Sequence, residues 1–473
     1  MAAEQSAFRR SPLHPSADRQ AFDEAVRYLS SFTDFEQLMA VAPARCTFDL
    51  LRLERLLAEL GNPHHDVPVV HITGTKGKTT TTWMTERILR FAGLRTFRFT
   101  SPHVETLHER LAMDGNSISN RQFAALMADL RPTIERIRRE RPEDLPSFFE
   151  LMTVLGFLFA REQGAQASVI EVGLGGRLDA TNVVDPQVCI LTSVAMDHER
   201  ILGSTLPAIA REKAGILKPG RPTIVGLPDE HPGLQVVLDR AAEIGAPLFR
   251  RHQDFEVLSV KKESSRATGP HLQADLRVQG QDFAEIRLRA GAPHQAWNAA
   301  MAILASSIVL DRQGLILTPD CARDALFDLQ VPARAEWFPG SPPVLLDGAH
   351  TAESIEDLAN LSEELSGNGP TIALLGLTRD RDPARVLRPI AEKMSNSILV
   401  PLPTPRAGMP IEQARLLKQH GLRVEATDSL VQGFGEALRQ AGPDGLVVVA
   451  GSLYLAGALR HHLVSPAESP GAQ

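Results

Sequence analysis

The sequence predicts an α/β protein with two sheet-based domains. The first is a doubly wound domain carrying a phosphate-binding loop (P-loop), and the second is a smaller C-terminal Rossmann-like α/β domain. Three observations predict this. Apolar, β-branched runs alternate with helical patterns along the chain. One such run, Val67 to Ile72, passes through a short glycine loop into a helical segment. Near Pro332 the alternation starts afresh, without a second glycine loop.

The elements follow in order. Residues 1–18 read as a disordered start, 19–329 as the nucleotide-binding domain and 333–465 as the second domain. Pro466 to Gln473 read as a disordered tail. Helical patterns cover Ala21–Ser31 and Leu50–Leu60. After the strand at Val67–Ile72 comes Gly74-Thr75-Lys76-Gly77-Lys78-Thr79. Met84, Ile88, Phe91 and Ala92 then fall at helical spacing, and Gly93 suits the helix end. Strands are expected at Arg95–Thr100, Ala167–Val172, Val188–Val194 and Pro222–Gly226, with helices at Asn120–Arg139, Phe148–Gln163 and around Lys213. Between 255 and 290 the pattern changes. Leu272, Ala274, Leu276 and Val278 alternate, as do Ala284, Ile286 and Leu288, which predicts an antiparallel patch. A helix follows over His294–Leu310. The second domain is expected to carry strands at Val344–Asp347, Thr371–Leu375, Ser397–Pro401, Arg423–Ala426 and Leu446–Ala450.

The loop defines the first chemistry. Glycines let backbone N–H groups close on oxyanions, and a helix N-terminus adds partial positive charge. Gly74, Thr75, Lys76 and Gly77 form the cradle, Lys78 is placed on the β/γ-phosphates, and Thr79 or Thr80 lies near Mg²⁺. Position 72 is Ile72 rather than glycine, so the motif is the shorter G-x-x-G-K-T form. Further polar groups fall just past strand ends, where such sheets place function: Ser101 and His103, Glu171, and Asp197-His198. The glycine run after Val172 imitates a dinucleotide fingerprint, but Leu178 stands where its third glycine belongs, which rejects NAD binding.

Composition narrows the classes. A net charge of −7 offers no broad basic footprint for nucleic acid. The longest apolar stretch, Leu151 to Ala160, is too short to span a bilayer. Cys46, Cys189 and Cys321 lie far apart in no metal spacing, which points to a reducing compartment, and the expected setting is cytoplasmic.

The runs GTKGKTT, SPHVETLHERL, SFFELMT, EVGLGGRLDATNVVD, SVAMDHERILG, REKAGILKPG, HQAWNAAMAI, PARAE, LLDGAH and AGSLYL occur in one order. In this the chain resembles the folylpolyglutamate synthase/dihydrofolate synthase group of the Mur ligase family over about residues 20–460. The resemblance implies an ATP-dependent carboxylate–amine ligase that works through an acyl phosphate. Its expected substrates are ATP, L-glutamate and a folate or dihydropteroate, and its place is folate and one-carbon metabolism. It further implies two Mg²⁺, with Ser101 and Glu171 on one and Glu171 and His198 on the other. Lys213 matches a lysine that is carbamylated in the group. Asn298 and Arg334 are expected at the nucleotide. Asp347 and His350 are expected at the phosphates or the incoming glutamate, and Phe149, Glu150 and Arg406 along the substrates. A monomer is expected. Lys76, Thr79 and Thr351 depart from the residues usual in the folate group. They keep open a Mur-type ligase for another acyl substrate, and behind it a P-loop ATPase switch.

Overall fold

Val69–Thr73 forms β1, a strand buried along its whole length, and the first sheet is laid out around it. The computed structural model describes residues 15–34 and 49–464. To either side of β1 lie β2 (Thr96–Phe99), β3 (Leu111–Met113), β4 (Asn116–Ser117), β5 (Ala167–Glu171), β6 (Val188–Leu191), β7 (Thr223–Val225) and β8 (Leu248–Arg250). The order is β4-β3-β2-β5-β1-β6-β7-β8, parallel except at the β2-β3-β4 edge. The connection from β1 runs toward β2 and that from β6 toward β7, so a crevice opens at the carboxyl ends of these central strands.

Helices α1 (Pro15–Leu29), α2 (Leu50–Glu59), α3 (Lys78–Phe91), α4 (Asn120–Glu140), α5 (Phe148–Glu162), α6 (Glu199–Leu202), α7 (Leu206–Ala214) and α8 (Leu234–Ile244) complete the layers. The expected disorder of 1–18 is corrected at its end: α1 begins at Pro15, with Asp18 in its first turn, and Phe22, Ala25 and Leu29 enter the core. Residues 1–14, Cys46 and the tail lie outside the described residues. Within α3, Met84 and Ile88 are buried as the spacing predicts, but Phe91 is 44% exposed. Its ring instead lies near the guanidinium groups of Arg87 and Arg90, at 5.4 and 5.6 Å.

A separate three-stranded sheet, β9 (Phe255–Lys262), β10 (Leu272–Val278) and β11 (Gln281–Leu288), is antiparallel throughout. The expected alternation fails at one place. Leu276 pairs with Phe283 while Ala274 pairs with Ile286, so β11 carries one extra residue, with Glu285 at φ 56°. The bulge turns Phe283 inward and leaves Ala284 exposed. This patch, with α9 (His294–Arg312) and α10 (Pro319–Leu326), packs on the outer face of α3.

The second sheet is β12-β13-β17-β14-β15-β16, built from Glu336–Phe338, Val344–Leu346, Leu446–Ala450, Thr371–Leu375, Asn396–Leu399 and Val424–Ala426 in that spatial order. Only β12 runs antiparallel. Its helices are α11 (Ala352–Leu365), α12 (Pro383–Lys393), α13 (Pro410–Gln419), α14 (Leu430–Ala441) and α15 (Leu453–Val464). Among the described residues no helix is long and apolar enough to cross a membrane.

Candidate active site

The turn between β1 and α3 is shaped by two glycines. Gly74 and Gly77 have φ of 156° and 84°. A Cβ at Gly74 would come within 1.9 Å of Thr192 Oγ1, and one at Gly77 within 2.8 Å of Asn298 Oδ1. The end of β6 and helix α9 therefore press directly on the loop. Ser193 Oγ accepts from Lys76 N–H at 2.9 Å, and Thr192 Oγ1 donates to the Lys76 carbonyl at 2.7 Å. Lys78, first residue of α3, turns its amine back to the Gly74 carbonyl at 3.0 Å. Asn298 is buried beside Gly77 and donates to Gln295 Oε1. Thr80 is buried on α3.

Thr79 Oγ1 donates to Glu171 Oε1 at 2.8 Å, and the Ser101 N–H approaches Glu171 Oε2 at 3.4 Å. Two strand ends and the first turn of α3 thus meet at one carboxylate. Burial pushes the Glu171 carboxyl up, opposed by the Lys78 charge, the Thr79 hydroxyl, Arg334 and the Ser101 N–H. No group of three or more His, Cys, Asp or Glu side chains converges among the described residues. The donors here are one carboxylate and hydroxyls beside a phosphate loop, which suits Mg²⁺, an ion that keeps waters and shares its shell with phosphates.

His198 has φ 48° and stands 3.7 Å from Asp197. Burial lowers its pKa despite Asp197, and the Lys78 and Arg381 charges add to the lowering. Lys213 is 3% exposed on α7. Burial, aided by the Lys78 charge, brings its amine down to about 7. The glycine run explains how α7 sits so close. A Cβ at Gly176 would meet the Glu212 and Lys213 carbonyls at 2.9 Å, and one at Gly215 would meet Arg177 Cβ at 2.3 Å. Asp179 braces this loop, accepting from Leu174 N–H at 2.8 Å and from Thr181 Oγ1 at 2.6 Å.

The second sheet supplies the facing wall. Arg334 lines the cleft, and its charge is felt at both Glu171 and Asp347. Asp347 accepts from the Ala335 and Ala349 N–H groups at 2.6 and 2.7 Å. His350 is open to the cleft and donates Nδ1–H to the Gly348 carbonyl at 2.8 Å, which leaves Nε2 as the unprotonated nitrogen of the neutral ring. Burial by surrounding protein lowers its pKa. Lys76 reaches across to Glu353 at 2.7 Å. Thr351 caps α11.

The cleft between the walls has a volume of about 1090 Å³ and brings together nearly all the expected residues. Phe149 stands edge-on to Phe99 at 5.9 Å, and only the missing Cβ of Gly173 leaves room for its ring. Glu150 lines the cleft, but its carboxylate accepts from Ser147 N–H at 2.6 Å and from Arg52 Nε at 2.8 Å, capping α5. Glu150→Ala is expected to destabilise the fold by about 3 kcal/mol in urea titrations, with Glu150→Gln costing less because it keeps the cap. Arg406 lines the cleft and reaches Asp380 at 3.4 Å. The sequence reading missed Arg381, which lies 4.0 Å from both Asp197 and Asp380. Its signal was the charged run Arg379-Asp380-Arg381-Asp382 just past the end of β14, the same strand-end position that marked Glu171.

A phosphate loop on one parallel sheet, faced across a cleft by a second Rossmann-like sheet that has none, defines a nucleotide-dependent ligase of the Mur type. Residues 72–306 match the Mur ligase middle domain, and residues 333–453 match the Mur ligase glutamate ligase domain. Folylpolyglutamate synthase of Lacticaseibacillus casei is 31% identical over 446 residues, covering 94% of this chain and 99% of its own. Dihydrofolate synthase/folylpolyglutamate synthase of Bacillus subtilis is 30% identical over 416 residues, covering 87% and 94%. The apo structure of the L. casei enzyme superposes with a TM-score of 0.81 at 30% identity, over 94% of this chain and all of that one. The chain belongs to the Mur ligase family, in the group of folylpolyglutamate synthases and dihydrofolate synthases.

Proposed function

We propose that this protein uses ATP to join L-glutamate by an amide bond to the carboxylate of a folate, or of dihydropteroate, through an acyl phosphate. The observation that carries the reading is the cleft itself, where the phosphate loop and Glu171 face Arg334, Asp347 and His350. A related folylpolyglutamate synthase has been solved with AMPPCP and folate together, at a TM-score of 0.79 and 30% identity over 94% of this chain and all of that one.

The chemistry follows from the residues. A carboxylate becomes an electrophile once its oxygen is phosphorylated, and phosphoryl transfer chiefly needs positioning and charge neutralisation. Lys78 and the N-terminus of α3 supply positive charge to the phosphates. Thr79, Ser101 and Glu171 would hold one Mg²⁺, and Glu171 and His198 would serve a second. Bound there, Mg²⁺ neutralises phosphate charge. Asn298 and Arg334 hold the nucleotide, and the apolar edge at Phe149 takes the acyl substrate. Arg381 and Arg406 supply cationic partners for the carboxylates of glutamate. The glutamate amine attacks the acyl carbon, the C–O bond to phosphate breaks, and His350 Nε2 takes the proton. Asp347 holds the 333–335 turn and the Ala349 backbone beside it. Lys213, its amine brought down to about 7, is about half uncharged at neutral pH, and the uncharged amine is the form that reacts with CO₂ to give a carbamate.

The test is ATP turnover in the purified protein. ADP release should require both the carboxylate substrate and glutamate, and should be measured with tetrahydrofolate and with dihydropteroate separately. Turnover indifferent to both carboxylate substrates, or to glutamate, would sink the reading in favour of a switch ATPase.

A further inference from the structure

Arg460 lies on α15 and does not line the cleft, yet it touches both halves of the molecule. Its Nε lies 3.0 and 2.9 Å from the two oxygens of Glu336, whose side chain is only 5% exposed. Its Nη1 donates to Glu105 in the first half of the chain. Each carboxylate leads to a different part of the site.

Glu105 belongs to the loop that follows Ser101. That loop is wound on Glu109, whose carboxylate accepts from the N–H groups of Val104, Glu105 and Thr106 at 2.8, 2.8 and 2.7 Å. Helix α15 seats directly on it. A Cβ at Gly457 would lie 1.8 Å from the Val104 carbonyl, so helix and loop touch through backbone. Movement of α15 is therefore transmitted to the segment that presents Ser101 to Glu171.

Glu336 leads the other way. Its Oε2 accepts from Ala333 N–H at 2.9 Å. Ala333 and Ala335 both have left-handed backbone, φ 52° and 46°, a strained conformation for a residue with a Cβ. Arg334 sits between them. The strained turn is held by Glu336 on one side and by Asp347, through Ala335 N–H, on the other. Without those anchors the turn would relax and Arg334 would lose its aim.

We infer that Arg460 is a positioning residue for the ligation, fixing the turn that aims Arg334 through Glu336 and the loop that aims Ser101 through Glu105. One guanidinium thereby holds in register two segments that the chain separates by more than 200 residues. Arginine suits the task because its planar fork can serve two carboxylates at once, which an ammonium does less well. The inference rests on reading Arg334 as a nucleotide-facing residue, and the experiment separates the two claims.

The full-length protein carrying Arg460→Met should be compared with wild type by hydrogen–deuterium exchange and steady-state kinetics. Amide exchange is expected to rise about tenfold in both 102–106 and 333–336, and kcat/KM for ATP to fall about tenfold. Arg460→Lys should restore protection to one of the two segments. In an Arg334→Ala background the Arg460→Met loss should shrink, because only the route through Glu105 and the Ser101 loop is left to lose. Unchanged exchange in both segments overturns the inference, as does a double-variant loss equal to the product of the single losses. If Arg334→Ala leaves ATP affinity intact, the reading of Arg334 fails, and exchange still decides the role of Arg460. Should Arg460→Met not fold, Glu336→Gln and Glu105→Gln each loosen one segment, and exchange confined to the expected segment reads the same inference.

Discussion

Lys78→Ala is expected to lower ligation by at least about a thousandfold while leaving the protein folded. The amine stands at the opening turn of α3, where the N-terminus and the left-handed Gly77 already present donors to an anion. Among the described residues it bonds only the Gly74 carbonyl at 3.0 Å and, weakly, the Thr75 carbonyl at 3.5 Å. Both are partners within its own loop, so truncation costs the fold about 1 kcal/mol. What is lost is the mobile positive charge that follows the phosphate as it transfers. Arginine should not restore it, since its planar fork cannot place a compact point charge as an ammonium does. The effect should also reach Lys213, because the Lys78 charge is one reason that amine is held low. Calorimetry of nucleotide binding and a single-turnover assay give the result. A folded Lys78→Ala protein with near-normal turnover would end the phosphate-loop assignment.

Lys213→Met should do two opposite things, abolishing most activity and stabilising the fold. The lysine is 3% exposed and its amine is brought down to about 7 from an ordinary 10.5. Between those values the unfolded chain binds a proton that the native state does not, so native stability rises with pH across that window. Below about pH 7 the full penalty of burying the amine applies. The Met variant removes it, so its gain in stability should be largest at or below pH 7 and shrink toward pH 10. Urea titrations at pH 6, 8 and 9.5 measure this. Activity should run the other way. If a carbamate on Lys213 is needed, wild-type turnover should climb from pH 6 to 8 and respond to bicarbonate, and short carboxylates should partly rescue Lys213→Ala. A fully active Lys213→Ala protein would remove the residue from the mechanism.

Much of this was legible in the sequence because strand ends concentrate function. Glu171, Ser101, Asp197 and Lys78 were each visible as polar residues following apolar runs, and the structure gathers them at the carboxyl edge of one sheet. What escaped has physical reasons. The bulge at Glu285 reverses which residues face inward, and periodicity cannot register a single extra residue. Phe91 fits the helical spacing, yet its face meets Arg87 and Arg90 rather than core. Glu150 was placed on the substrate, and its carboxylate also closes a helix cap, a use that Ser147 three residues earlier announces. The glycine run after Val172 showed its composition but not its purpose, which is to let α7 approach. β4 is polar and exposed and β8 is only half-buried, so neither offers the buried apolar run that marked the equally short β7 and β13.

The burial of α3 has a consequence for synthesis. Met84, Ile88 and Leu89 share their cluster with Phe255, Leu272, Ile286, Leu326 and Val331, all encoded much later. The ribosome therefore releases the phosphate-loop helix roughly 240 residues before its last covering residue exists. At ~5–20 residues per second, that helix waits some 12 to 48 s with the outer face that α9, α10 and the antiparallel sheet will cover still open. Throughout that interval the nascent chain offers a binding surface to chaperones. Messages that stall translation ahead of residue 255 should accordingly yield aggregated rather than merely truncated protein.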